Sequence, residues 1–531
     1  MSDPQHPIEP DIGQNMRREL SHGRLWVDRA VVLSYAALAG LSVVVFTWLT
    51  DIGFAWFEGM YHAAWWTVLI WTPLCTMGIV WVTQRWFAKA AGSGIPQVMV
   101  ALEPALPASQ RSVFVSLKLS IAKIVLASAG VMAGLSVGRE GPSVQVAAGV
   151  MLHARRWLRN DTDLGVHALL VAGGAGGIAA TFNAPLAGVV FALEELGRKL
   201  PARNSGLIIA VIVLAGLVGI TFFGNNHFLG TIKVPPLGLS ILMPGLVVTL
   251  VCGLLGGLFA RLMALALTGT GWTLNGWRKR HPLRFAGVLG LIIAILGLAT
   301  NGQTFGGGAE SVRDLLAQEH EPSPLFVPFK FLATWLTAWS GVPGGIFAPS
   351  LAVGAGVGYD VAQYSDNMPL MAPLVAMGMA AFLAAVTQAP LTAFIIVMEM
   401  VDGGAMVLSL MAAAMVASMV SRSISRPLYP ALAGAMYAAL QPQAPSTPAG
   451  EDKKPTTDPA PELAAAVAAA HQDSEPAEAE TGAEAPLRTT LETAGDDPRH
   501  PASPEPPAAD DQQPPADPPV KGSHSQPDLF P

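Results

Sequence analysis

The stretch Ser136–Gln145 reads S-V-G-R-E-G-P-S-V-Q and places an ionisable carboxylate, Glu140, between Gly138 and Gly141 and just ahead of Pro142, inside a long apolar region. A carboxylate at membrane depth costs about 2.5–3.5 kcal/mol on insertion scales, which marks it as a functional group rather than filler. Glycine permits close approach and unusual dihedrals, and proline in the first turn gives up a donor the helix would not have used. The stretch therefore predicts a broken helix whose new N-terminus opens at depth. Such an end carries unpaired N–H groups and about half a positive elementary charge, enough to hold a bare anion without a fixed cation.

Other residue patterns offer related chemistry. Gly92-Ser93-Gly94-Ile95-Pro96-Gln97 reads either as a tight turn between spans or as a second interrupted helix whose serine hydroxyl and amides donate to an anion. Lys123 lies alone in an apolar segment, as a structural counter-charge or as a source of positive potential. Asn183–Glu195 ends in two acids, Glu194 and Glu195, ahead of Arg198, Lys199 and Arg203. They read as a solvated helix terminus or as a point of proton uptake. Tyr429 stands at a predicted helix start, as an interfacial anchor or with its O–H aimed at an anion. Gly173–Gly177 superficially matches a nucleotide-binding pattern. It lacks the preceding strand and the following Lys-Ser/Thr, so close helix packing is expected. Cys75 and Cys252 sit in apolar runs and indicate neither a disulfide framework nor a zinc site. An intramembrane enzyme would need a motif such as H-E-x-x-H, G-x-S-x-G or facing aspartates, and none is apparent in the spans.

These residues need an apolar scaffold to position them. Of 531 residues, 51% are hydrophobic and 13% charged, against about 25% charged in ordinary soluble domains. The class expected is an all-α polytopic membrane protein in the lipid bilayer. The net charge of -7 says nothing about the sign of a substrate, because pathway fields are local. Residues 1–30 form a polar segment with Arg17, Arg18, Arg24 and Arg29 ahead of the first span, which places it in the cytoplasm. That span, Ala30 to Thr50, is too long for a signal h-region. The following Asp51 to His62 is expected to be an outer loop, and Trp65, Trp66, Trp71 and Trp81 to be lipid-facing or interfacial anchors. Arg278, Lys279 and Arg280 are expected in a cytoplasmic loop. From Gln441 the chain turns to Pro, Ala, Asp, Glu, Ser and Thr, and residues 441–531 are expected to form a disordered cytoplasmic tail. Its Gln526–Phe530 resembles a sliding-clamp-binding peptide, which five residues in such a tail explain by chance.

The second half restates the first. Gln388–Glu399 follows Asn183–Glu194 position by position, and Gly345–Ser350 follows Gly138–Ser143, with Phe347 in place of Glu140. The first-half motifs lead to Arg/Lys clusters, whereas the second-half motifs lead to segments without Lys or Arg, so the copies point oppositely across the bilayer. The expected architecture is two inverted-topology repeats of tilted and interrupted helices, residues 31–236 and 237–440. In such transporters the substrate site lies at the repeat interface.

Taken together, G-S-G-I-P at Gly92–Pro96, G-R-E-G-P at Gly138–Pro142, G-G-I-F-A-P at Gly344–Pro349 and the late Tyr429 resemble the CLC family of chloride channels and chloride/proton exchangers. The resemblance covers roughly Val31 to Leu440. It implies that Ser93, in the loop with Gly94, and Tyr429 coordinate chloride, with the amides of Ile346 and Phe347 assisting. Glu140 would be the gating glutamate and Glu195 the internal proton glutamate, with Glu194 beside it. Lys123 falls where the family has a buried lysine. The resemblance further implies a helical homodimer in the inner membrane, both termini cytoplasmic, a pathway in each subunit, no cofactor, chloride and protons as the transported partners, and no role for nucleic acid. The tail shows no paired cystathionine-synthase-like regulatory domains. The leading expectation is exchange of chloride against protons. The alternative is a passive chloride channel, which Glu195 argues against because family channels usually lack an acid there.

Overall fold

A backbone surrounded by lipid must satisfy its N–H and C=O groups internally, and this chain does so with helices. The computed structural model describes residues 23–440 apart from 160–164, 198–204, 225–227, 233–238, 270–272, 318–320 and 366–367. Among the described residues eight helices are long and apolar enough to cross a membrane, and no strand forms. Large apolar side chains lie on the outside, Trp26, Trp65, Trp81, Ile209, Leu254 and Met419 among them. That surface is the wrong way out for water and the right way out for lipid.

The first half comprises α1 (Gly23–Ala63), α2 (Val68–Trp86), α3 (Ile95–Leu102), α4 (Ala108–Phe114), α5 (Leu117–Met132), α6 (Glu140–His153), α7 (Val166–Phe182), α8 (Pro185–Phe191) and α9 (Ser205–Phe223). The second comprises α10 (Leu242–Thr268), α11 (Thr273–Arg280), α12 (Pro282–Ala299), α13 (Ala309–Ala317), α14 (Phe326–Ser340), α15 (Phe347–Tyr364), α16 (Met371–Thr387), α17 (Pro390–Met400) and α18 (Val407–Arg422). Helix α19 (Leu428–Ala438) follows both. The expected duplication is visible in detail. Helices α7 and α16 are each 17 residues long, and each ends on a left-handed residue, Asn183 (φ 58°) or Gln388 (φ 61°). An Ala-Pro pair then opens the next helix, where proline cannot continue the old helix but suits the new one.

The copies run in opposite directions. Backbone amides of Gly138 and Gly345 exchange hydrogen bonds across an antiparallel bridge, 2.9 Å and 2.7 Å long. The end of α17 meets the start of α8, and the residues following α8 meet the start of α17 (Glu399 with Leu186 and Ala187, Glu194 with Leu391 and Thr392), so these two helices lie side by side and antiparallel.

Helices α7 and α16, apolar on every face, are buried along nearly their whole length, as such helices must be. Small residues let the backbones touch. A Cβ on Gly177 would lie 2.5 Å from the Ser143 carbonyl oxygen of α6, and one on Gly378 would strike the Gly354 carbonyl oxygen of α15. The Gly173–Gly177 run thus serves close helix contact.

Three expectations need correction. Asp51–His62 is not a loop, because α1 continues unbroken through it to Ala63. The segment carries no proline and alternates apolar residues with Gly53, whose bare face rests on Met132 of α5. Arg278–Arg280 lie in the short helix α11 rather than a loop, and Arg278 donates to the Ala266 carbonyl at the end of α10 (3.1 Å). Trp71 is not simply a lipid anchor, since its indole N–H donates to the Met132 carbonyl at 3.0 Å. The first 22 residues, Arg198, Lys199, Arg203 and the tail from residue 441 lie outside the described residues.

Candidate functional site

The site is assembled where α3, α6, α15 and α19 begin. In the loop before α3, Gly94 has φ +115°, a conformation that side chains rarely adopt. Gln97 braces the turn by accepting from the Gly94 amide (2.9 Å) and donating to the Ala91 carbonyl (2.6 Å). Lys123, fully buried on α5, donates to the Ala90 (2.7 Å) and Gly92 (2.5 Å) carbonyls. Because the peptide is planar and trans, a Gly92 carbonyl turned to the lysine turns the Ser93 N–H the opposite way. The counter-charge reading is corrected: the hydrogen-bond partners of Lys123 are main-chain carbonyls rather than a carboxylate, and they belong to the loop that carries Ser93.

Ser93 rests on the first turn of α6, and only glycine fits beneath it. A Cβ on Gly141 would collide with Ser93 Oγ, and one on Gly94 would lie 2.6 Å from the Gly141 carbonyl oxygen. Glu140 opens the same helix, 2% exposed. Its Oε2 accepts from the Ala348 amide, in the first turn of α15, at 3.3 Å, and the Arg139 and Glu140 amides also bear on the carboxylate. Gly138 makes room, since a Cβ there would strike Glu140 Oε2. The acid of one repeat therefore sits on the helix start of the other, where first-turn amides have no intrahelical acceptor. Ile346 and Phe347 stand at that same start.

On the other side of Phe347 lies Tyr429, buried in the first turn of α19, with ring centroids 5.9 Å apart at 80°. Phe191 closes the far edge of Phe347 at 6.5 Å. Tyr429 Oη and Ser93 Oγ are both buried and make no hydrogen bond to the protein. Helix α19, which carries Tyr429, packs against α3, which follows Ser93. A buried hydroxyl without a partner costs about 1–3 kcal/mol. Two together, beside a helix start, form a donor set suited to a small anion. Sequence reading named Ser93, Gly94, Glu140, Ile346, Phe347 and Tyr429, and the fold brings all six together.

The two remaining acids line the same cavity but differ in their contacts. Glu194 spends both carboxylate oxygens on main-chain amides, Oε1 on Leu391 (3.1 Å) and Oε2 on Thr392 (2.7 Å). Glu195, half-buried, lines a cavity of about 410 Å³ with Gln388, Arg422 and Arg426. Neither reading of the pair anticipated a helix cap.

Sequence reading missed Lys330. It is fully buried on α14 and donates to the Thr304 (3.1 Å), Phe305 (3.3 Å) and Gly306 (2.9 Å) carbonyls, ordering the glycine loop before α13 as Lys123 orders the loop before α3. The signal was present, because Lys330 precedes Phe347 by the same seventeen positions that separate Lys123 from Glu140.

Similar proteins share this plan. The chain is 32% identical over 358 residues to the H(+)/Cl(-) exchange transporter ClcA of Vibrio vulnificus (strain YJ016), covering 65% of this chain and 74% of that one. It is 27% identical over 416 residues to the ClcA of Citrobacter koseri, covering 75% and 86%. Among solved structures, a slow cyanobacterial Cl-/H+ antiporter matches with TM-score 0.68 at 24% identity, over 78% of this chain and 98% of that one. A eukaryotic CLC transporter matches with TM-score 0.61 at 21% identity, over 77% and 74%. At these identities the structures speak for the fold. The sequence model described as voltage gated chloride channel matches residues 75–422, well over half the chain, and with it this protein belongs to the voltage-gated chloride channel family.

Proposed function

We propose that this chain is a secondary active transporter, not an enzyme, and that it exchanges chloride for protons through a pathway in each subunit. The observation that carries the reading is the Glu140 carboxylate on the Ala348 amide, next to the Ser93 and Tyr429 hydroxyls. A side-chain anion stands where a free anion would find the same donors. Only one of the two can be held at a time, so protonating the acid and admitting chloride become linked events. In this reading Ser93, Gly94, Tyr429 and the amides of Ile346 and Phe347 form the anion site and Glu140 is the gate. Glu195, on the cavity edged by Arg422 and Arg426, supplies protons from the inner side. No cofactor takes part.

The reading extends to assembly. Leu186 and Leu193, Ile209 and Leu217, Leu391, Leu408 and Met419 leave α8 with the turn after it, α9, α17 and α18 with exposed apolar side chains, a surface suited to a second copy. In this reading both termini are cytoplasmic and the membrane is the inner one, a view that the N-terminal arginines support by the positive-inside rule for the N-terminus.

Simultaneous recording of chloride and proton flux from purified protein in liposomes tests the proposal. A chloride gradient should drive protons uphill, Glu140→Gln should uncouple the fluxes, and Glu195→Gln should suppress proton movement while chloride continues. Chloride flux with no proton flux in the unmutated protein would establish the passive channel instead.

A further inference from the structure

The starts of α8 and α17 pose a problem that their own sequences do not solve. Each is preceded by alanine, Ala184 or Ala389, and neither N-cap makes a side-chain hydrogen bond. Amides at the second and third helical positions are therefore left without intrahelical acceptors. Each pair is met by a carboxylate from the opposite repeat. Glu399 takes Leu186 (3.2 Å) and Ala187 (2.6 Å), and Glu194 takes Leu391 (3.1 Å) and Thr392 (2.7 Å). The two clamps are related by the inverted repeat, but their surroundings are not. Glu399 lies within the regular helix α17 and is followed by Met400, whereas Glu194 sits in a π turn, Ala192–Leu196, closed by the Gly197 amide on the Ala192 carbonyl (2.6 Å) and followed by Glu195. Such turns are rare and cluster at functional positions. Successive side chains there stand roughly a quarter-turn apart. Both acids line the cavity shared with Gln388, Arg422 and Arg426, and Glu194 is held there on α17.

We propose that Glu194 is a positioning residue: clamped on the Leu391 and Thr392 amides, it fixes the π turn that holds Glu195 in the inner cavity, while Glu399 is its structural twin without a proton-handling neighbour. As a carboxylate Glu194 accepts at both oxygens, and a proton on either would weaken the clamp. This rests on the reading of Glu195 as the inner proton acid.

The test compares Glu194→Gln, Glu399→Gln, Thr392→Pro and Glu195→Gln as full chains in liposomes, reading the proton-to-chloride flux ratio together with thermal stability. Each glutamine places an NH₂ against one amide of its clamp. Both should lower the melting temperature to a similar degree. Glu194→Gln should cut the flux ratio roughly ten-fold, the population change expected when one hydrogen bond to a charged group is lost, with chloride flux retained. Glu399→Gln should keep the ratio of the unmutated protein. Thr392→Pro removes the 2.7 Å donor from the other side of the clamp, at a first-turn position that tolerates proline, and should reproduce the loss without altering any acid. Equal ratios in Glu194→Gln and Glu399→Gln, or an unchanged ratio in Thr392→Pro, would overturn the positioning role while leaving the exchange reading intact. An unchanged ratio in Glu195→Gln would overturn both.

Discussion

Replacing Gly141 by alanine sets two known effects of opposite sign against each other. Alanine is favoured over glycine in a helix by about 1 kcal/mol, so on propensity alone the change should be harmless or stabilising. At this position, however, the new methyl would clash with Ser93 Oγ and lie 3.0 Å from Ser93 O and 3.3 Å from Ser93 Cβ. The main chain of the loop has little freedom to withdraw, because Lys123 holds the Gly92 carbonyl and Gln97 holds the Gly94 amide. The cheapest relief is rotation of the serine side chain away from α6, which takes one hydroxyl donor out of the anion site. A hydrogen bond to a charged group contributes about 1.5–3 kcal/mol, so chloride binding should weaken by roughly 10- to 150-fold. Titration calorimetry of chloride into purified protein would read that loss, with the melting temperature as a check that the fold survives. Ser93→Ala should weaken binding comparably. The double variant should be no worse than either single one, because the methyl then meets no hydroxyl and the two losses are the same loss. Unaltered chloride affinity in Gly141→Ala, or losses that add in the double variant, would refute the placement of Ser93 over the α6 start as a determinant of anion binding.

Two further perturbations follow from the same geometry. Lys123→Met strands the Ala90 and Gly92 carbonyls in a dry site at about 1–3 kcal/mol each, so thermal stability and chloride affinity should fall together, and a fall in stability alone would show that the loop needs no lysine to present Ser93. Gly378→Ala drives a methyl into the Gly354 carbonyl, main chain against main chain, and should cost at least the 1–3 kcal/mol typical of overpacking, with a lower melting temperature. Gly404→Ala, which has open space around it, should change nothing.

Much of the site was legible in the sequence because the motifs that build it are short and local. Glycines flanking Glu140, a proline after it and the same grammar repeated two hundred residues later already specify helix starts in apolar surroundings. The charge contrast at the ends of the two copies gave the inversion, and the antiparallel Gly138–Gly345 bridge shows the same relation in space. The extent of α1 was misjudged because polar Asp51 and His62 bracket a stretch whose apolar residues and missing proline permit helix throughout. Side-chain pattern marks an interface there, and backbone hydrogen bonding marks a continuing rod.

What the sequence determined by itself is therefore the helix starts marked by glycine and proline, because such breaks depend on the dihedrals of neighbouring residues. What only the tertiary structure decided is which group satisfies each end. Glu140 reaches Ala348, Glu194 reaches Thr392, and Lys123 and Lys330 reach loops tens of residues away. An orphaned amide or carbonyl is a local fact of the backbone. Its partner is fixed only when distant segments pack, within one half for the two lysines and between the inverted halves for the two acids, which no span of consecutive residues encodes.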